Sequence, residues 1–316
     1  MHSMAAEYSQ SASMSSMARI RLNTADGGLS AVSPLARVAG FATASAMLLA
    51  GCGGARTLPQ STQISESAQI GQAAAINIDT LQGRWRITTF DGVTPENTGD
   101  KPRGPSISFI GATYSADSGC NALSGLAALN GTRLYTMPGL QTEIGCQGPL
   151  LKQEATLVAL LHAAPQIAID QQGEITMTGG GHEVRLQRDA GAASRVAKPA
   201  TAPIEPDTQF QIDAVDGASV RSSDKSESLS LAFGRANWLV QTACATLTGK
   251  WSQQGTTLET SQIVLERRRC KIDDEHIRQA VNSVFASSPT VASGPNGEII
   301  LAGGGHWVSG FRADKN

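Results

Sequence analysis

Apolar and polar residues alternate with a period of two over Arg84-Trp85-Arg86-Ile87-Thr88-Thr89-Phe90 and again over Gln209-Phe210-Gln211-Ile212-Asp213-Ala214-Val215. That period predicts half-buried strands, because successive side chains of a strand face opposite ways. Each run is closed by an Asp-Gly pair, Asp91-Gly92 and Asp216-Gly217, and shorter runs follow at Ser106 to Ile110 and Ser230 to Phe233. Asn130-Gly131, Gln254-Gly255 and Asn296-Gly297 stand where tight hairpin turns are expected, since Gly tolerates positive φ. The period lengthens to helical spacing twice. Pro149 opens a helix over Leu150 to His162, with Leu150, Leu157, Leu160 and Leu161 on one side. Asp273-Asp274 are expected to cap Glu275 to Ala286, with Ile277, Val281, Val284 and Phe285 inward.

The two sets are copies. A shift of 124 residues places Cys120 on Cys244, Gly125 on Gly249, Cys146 on Cys270, Pro165 on Pro289 and Gly179-Gly180-Gly181-His182 on Gly303-Gly304-Gly305-His306. Ile107 to Arg188 against Leu231 to Arg312 gives 21 identities in 82 positions, several times what chance supplies. The expected fold class is α+β, mainly β: two tandem small antiparallel sheet or barrel lobes, each with one packed helix. The lobes are expected over 78–189 and 207–313, joined by an Ala/Pro linker over 190–206.

Ahead of them, Val38 to Gly51 is apolar for only 14 residues, short of the roughly 20 that a membrane-crossing helix needs. With its basic flank it reads as an export signal over 1–51, followed by a Gln/Ser/Ala-rich flexible tether over 52–77. Leu49-Ala50-Gly51-Cys52 resembles the bacterial lipobox, which implies acylation of Cys52 and cleavage before it. Two or three acyl chains anchor stably where one holds marginally. Gly53-Gly54 after the cysteine points, by resemblance to known sorting, to an outer-membrane lipoprotein facing the periplasm.

Composition narrows the classes. The chain has 316 residues, 41% apolar and 16% charged, with a net charge of -2. It is too apolar for wholesale disorder, and its balanced charge removes the attraction that dominates non-specific nucleic-acid affinity, so no nucleic-acid partner is expected.

Gly119-Cys120-Asn121, Ser124-Gly125, Leu140-Gln141-Thr142-Glu143-Ile144-Gly145-Cys146 and Glu154 in the following helix, with Leu81-Gln82-Gly83-Arg84-Trp85 at the start, resemble the META domain of HslJ-type heat-shock lipoproteins. The resemblance spans about 110 residues of the first lobe. It implies a compact β-rich fold and a role in envelope stress rather than a catalytic reaction. The second lobe departs from the pattern: Ala243 and Ala245 flank Cys244, Glu266 replaces Thr142 and Arg278 replaces Glu154.

In each lobe the cysteines lie 26 apart, and an oxidising compartment favours the pairs Cys120–Cys146 and Cys244–Cys270, each loop closure being worth about 3.5 kcal/mol in the simplest chain-entropy treatment. Buried free thiols and a zinc site compete with that reading. The zinc reading lacks C-x-x-C spacing, and neither a metal nor a cofactor is expected. Asn121, Thr142 and Glu154 form the candidate binding set of the first lobe; their structural alternative is a turn residue, a sheet hydroxyl and an exposed helix acid. His182 and His306 read as turn-capping or sheet-packing residues, with a ligand-binding pair as the other option. Glu266 to Lys271 is a basic run that reads as a solvated loop, with a face toward anionic lipid or polysaccharide as the other option. G-x-S-x-G, H-E-x-x-H and a complete P-loop are missing, and Ser222-Ser223-Asp224-Lys225 matches S-x-x-K only in a polar loop of one lobe. The expectation is a non-catalytic envelope lipoprotein that is a binding or stress-related component, held to the membrane by its lipid and meeting an envelope protein or small ligand. The rivals are an inhibitor or ligand-binding protein acting on an envelope enzyme and, more remotely, a hydrolase.

Overall fold

The computed structural model describes residues 76–97, 104–189, 202–220, 229–269 and 271–313. These residues fall in one compact unit, Gln69–Asn316. The expected signal segment, Cys52, nearly all of the tether, linker residues 190–201, Ser222 to Lys225 and Cys270 lie outside the described residues.

Eight strands, β1 (Gly83–Phe90), β2 (Ser106–Ile110), β3 (Thr113–Asp117), β4 (Ala122–Asn130), β5 (Arg133–Gln141), β6 (Gln166–Ile169), β7 (Ile175–Gly179) and β8 (His182–Arg188), pair in chain order and close as a barrel through β1 and β8. A second set repeats the plan. It comprises β9 (Thr208–Val215), β10 (Ala218–Ser219), β11 (Ser230–Phe233), β12 (Asn237–Thr242), β13 (Ala245–Gln254), β14 (Thr257–Arg267), β15 (Thr290–Ser293), β16 (Glu298–Gly303) and β17 (His306–Arg312). Here β9 pairs with both β11 and β17, which closes the ring, while β10 adds a two-residue extension on β9. The short α1 (Ile78–Leu81) precedes the first barrel, and one longer helix serves each: α2 (Pro149–His162) and α3 (Ile272–Ala286). The mainly β class with two barrel lobes and one packed helix each is therefore the observed architecture. Among the described residues no helix is long and apolar enough to cross a membrane.

The copies agree down to their irregularities. β4 and β5 slip register between Leu123 and Gly125, and β13 and β14 between Thr248 and Lys250. A Cβ on Gly125 would run into the Met137 carbonyl oxygen, and one on Gly249 into that of Ser261, so both bulges demand glycine. In each barrel the strand before the helix meets the strand after it at one residue pair only, Arg133 with Gln166 and Thr257 with Thr290. The helix fills the resulting gap. Leu157, Leu160 and Leu161 of α2 join Trp85, Phe109 and Leu134 in the first core. In the second, Phe285 of α3 stacks on Trp238 with ring centroids 4.3 Å apart.

Two details differ from the sequence reading, and a third lies beyond it. α3 begins at Ile272 and its N-cap is Lys271, which makes no side-chain cap; Asp273 and Asp274 lie inside the first turn, and the first helical bond runs from Glu275 N–H to the Lys271 carbonyl. The second lobe takes in the end of the linker, because Ile204 is buried in the second core and its N–H bonds Gln253. A third apolar cluster joins the lobes: Leu126, Ala128, Tyr135 and Met137 pack against Ala292, Ile300, Ala302 and Trp307, with Asn130 donating to Thr290 at the margin.

Candidate functional site

The site is built from the turn between β3 and β4. Gly119 takes a positive φ of 96°, and the Ser118 hydroxyl oxygen accepts the Asn121 N–H at 3.1 Å. This geometry sends the Asn121 side chain, only 3% exposed, under the loop that follows β5. There it uses both ends of its carboxamide. The oxygen accepts from the Thr142 hydroxyl and the Ile144 N–H, both at 2.8 Å, while the amide donates to the Ile144 carbonyl at 3.0 Å and to Glu154 Oε2 at 2.8 Å. Gln141 donates to the other Glu154 oxygen at 2.9 Å. Cys120 and Cys146 form a disulfide beneath the same loop, with Cα atoms 6.2 Å apart.

The structure thus brings Asn121, Thr142 and Glu154 into one hydrogen-bonded knot, a closer association than the turn residue, sheet hydroxyl and exposed acid of the structural alternative. Reading the sequence missed Gln141 and also Gln153. The Gln153 side chain accepts from Glu96 N–H at 2.6 Å and donates to the Ser118 carbonyl at 3.0 Å, clamping the segment after β1 onto α2. Its signal was present: a polar residue at a position that belongs to the apolar stripe of the helix, between Leu150 and Leu157.

Beside the knot a cleft of about 410 Å³ opens between the Asp91 turn and the start of α2, lined in part by Phe90, Val93, Glu96, Pro149, Lys152 and Thr156. Large apolar side chains are exposed in the first lobe, among them Val93 at 64%, Leu140 at 82%, Ile144 at 60% and Leu151 at 56%.

In the second barrel Thr242 reproduces the Ser118 turn, accepting the Ala245 N–H at 2.9 Å, but the knot is gone. Ala245 is fully buried where Asn121 would stand. Arg278, in the place of Glu154, is buried against Glu275, and this hydrogen bond, helped by Gln279, holds the Glu275 carboxyl down to about 2. Cys244 is disulfide-bonded. Of the basic run, residues 266–269 and 271 are exposed, as a solvated segment requires.

Each histidine opens the last strand of its barrel and bonds the aspartate of an Asp-Gly turn. His182 Nδ1 meets Asp91 Oδ2 at 2.9 Å and His306 Nδ1 meets Asp216 Oδ2 at 2.7 Å, while the other carboxylate oxygen accepts the N–H of Glu183 or Trp307. Asp91 and Gly92 both have positive φ, 49° and 78°, the backbone of a two-residue hairpin turn that suits Asp-Gly. The Glu183 N–H, and then His182 and Lys152, hold the Asp91 carboxyl below its ordinary range against the opposing effect of burial. A depressed carboxylate stabilises the fold above the ordinary value and ceases to as pH falls through the lowered one. The melting temperature of Asp91→Asn therefore lies below that of the unaltered protein at neutral pH, and the two converge on acidification; a gap that widens in acid would contradict the assignment.

A closed antiparallel barrel with one gap-filling helix and a disulfide-braced loop defines the module in the first lobe. Residues 79–191 match the family model of the META domain, so a META domain occupies this part of the chain. No curated protein matches the chain. Among solved structures, the NMR structure of a protein from Burkholderia xenovorans is 16% identical, covering 35% of this chain and 84% of that one, with a TM-score of 0.30. A second NMR structure is 19% identical over 35% of this chain and 94% of its own, with a TM-score of 0.31. TM-scores this low carry no argument about function.

Proposed function

We propose that the protein is a lipid-anchored component of the bacterial cell envelope, with an HslJ-like META module in its first lobe and a degenerate second copy behind it. It acts by binding an envelope protein, without catalysis, from the periplasmic face of the outer membrane. The observation that carries the binding role is the exposure of Val93, Leu140, Ile144 and Leu151 in the first lobe, Ile144 lying on the loop that the disulfide and the Asn121 knot brace. Contiguous exposed apolar side chains mark interaction surfaces, because a fold gains nothing by leaving such a patch in water. The knot braces the loop that carries Ile144: both Glu154 oxygens and both ends of the Asn121 amide are engaged within it. The anchor rests on Leu49-Ala50-Gly51-Cys52.

A photo-crosslinking residue at Ile144 tests the binding role in intact cells. A discrete adduct is expected, lost in Leu140→Ser/Leu151→Ser; the same adducts from a crosslinker at exposed Val264 in the second lobe would defeat the reading. Anchoring is tested separately. Cys52→Ser is expected to move nearly all of the protein from the detergent phase to the aqueous phase, and unchanged partitioning would rule out the lipid.

A further inference from the structure

We infer that the first barrel holds a redox-gated site for a soft divalent cation of the zinc or cadmium type, closed while Cys120 and Cys146 are bonded and opened when a dithiol reductant separates them. The inference stands apart from the anchoring and partner readings. Cys120 Sγ, Cys146 Sγ and a Glu154 carboxylate oxygen all lie within 4.8 Å of one another, and Glu154 Oε2 approaches Cys146 Sγ to 3.1 Å. Two thiolates and a carboxylate, with a fourth position left to water, make a donor set that suits a tetrahedral d¹⁰ cation. The carboxylate is already aimed. Asn121 holds Oε2 at 2.8 Å and Gln141 holds Oε1 at 2.9 Å, the outer hydrogen bonds that orient a ligating carboxylate. Asn121 Nδ2 also reaches Cys146 Sγ at 3.4 Å, a contact that supports a thiolate there.

The balance is simple. The reductant gives two electrons and two protons to the sulfur–sulfur bond, leaves as its own disulfide, and yields two thiols on the protein; the cation then displaces two protons and takes two thiolates and Glu154. The second barrel supplies an internal control. Its residue at the place of Glu154 is Arg278, a fixed positive charge that repels a cation.

The test titrates the full chain with Cd²⁺, with and without reduction by a phosphine, following the thiolate-to-metal absorption band and the far-ultraviolet circular dichroism. The reduced protein is expected to bind one Cd²⁺ with its strand signal intact, and the oxidised protein none. Glu154→Gln is expected to weaken binding by about tenfold or more. Arg278→Gln leaves it unchanged. A reduced protein without the band would overturn the inference, as would equal affinity in Glu154→Gln, or a strand signal lost on reduction that Cd²⁺ does not restore.

Discussion

Asn121→Leu lowers the stability of the first barrel by about 3 kcal/mol, the sum of several hydrogen bonds whose partners are only partly resatisfied by water. Leucine matches the asparagine in size, so no cavity enters the result. What is lost is the acceptor for Thr142 and the Ile144 N–H and the donor to Glu154 and the Ile144 carbonyl. Ile144 and Thr142 are exposed and water repairs part of the loss, which keeps the effect near the middle of the range that four bonds allow. Urea unfolding followed by far-ultraviolet circular dichroism measures it, and a change under about 1 kcal/mol would mean that the knot braces nothing. The reverse exchange has the same sign for a different reason. Ala245→Asn places an amide in a fully buried position in a lobe where Arg278 and Glu266 stand at the sequence positions that match Glu154 and Thr142, so the partners of the first-lobe amide are not supplied.

The second large effect lies between the lobes. Trp307→Ala is expected to cost about 3 to 5 kcal/mol, the usual range for truncating a buried aromatic side chain. Trp307 is 6% exposed, and its ring lies 6.2 Å from that of Tyr135 across the lobe boundary. Burial holds the Tyr135 phenol above its ordinary value, and Asp216 of the other lobe pushes the same way against Arg133. With Trp307 gone the phenol gains water, so its titration moves back toward 10. Ultraviolet titration of the variant reads this directly, and an unmoved Tyr135 would mean that the third core is held by other contacts.

How far the sequence discloses this arrangement depends on whether the cause is local. The strand periods, both longer helices and the duplicated turns were legible because Asp-Gly, Gly-Gly-Gly-His and the bulge glycines answer to backbone geometry within a few residues. Repetition at a fixed offset then doubled each signal. Asn121, Thr142 and Glu154 were legible only through the resemblance to the META domain, since nothing in their spacing says that residues 33 apart share a hydrogen bond. The start of α3 was misplaced because a capping aspartate is a statistical expectation, and Lys271 enters the helix from an extended backbone, φ -75° and ψ 162°, without a side-chain cap.

The third core was missed although it left a trace. Leu126-Ala127-Ala128-Leu129 in β4 and Ile299-Ile300-Leu301-Ala302 in β16 are apolar on both faces, where a barrel strand facing water should alternate. Leu129 and Leu301 face their own cores, and Ala128 and Ile300 face the neighbouring lobe. A two-sided apolar strand does not name its second partner, and here that partner lies some 170 residues away in the chain.

The claim on which the account rests is that each lobe closes around a core of its own, the shared cluster being an addition. Residues 78–189 expressed alone with Cys120 and Cys146 oxidised test it. The account predicts a single cooperative thermal transition with native near-ultraviolet circular dichroism, at a lower midpoint than in the full chain because Leu126, Ala128, Tyr135 and Met137 lose their cover. An oxidised fragment that melts without cooperativity, or has no fixed aromatic signal, would contradict it.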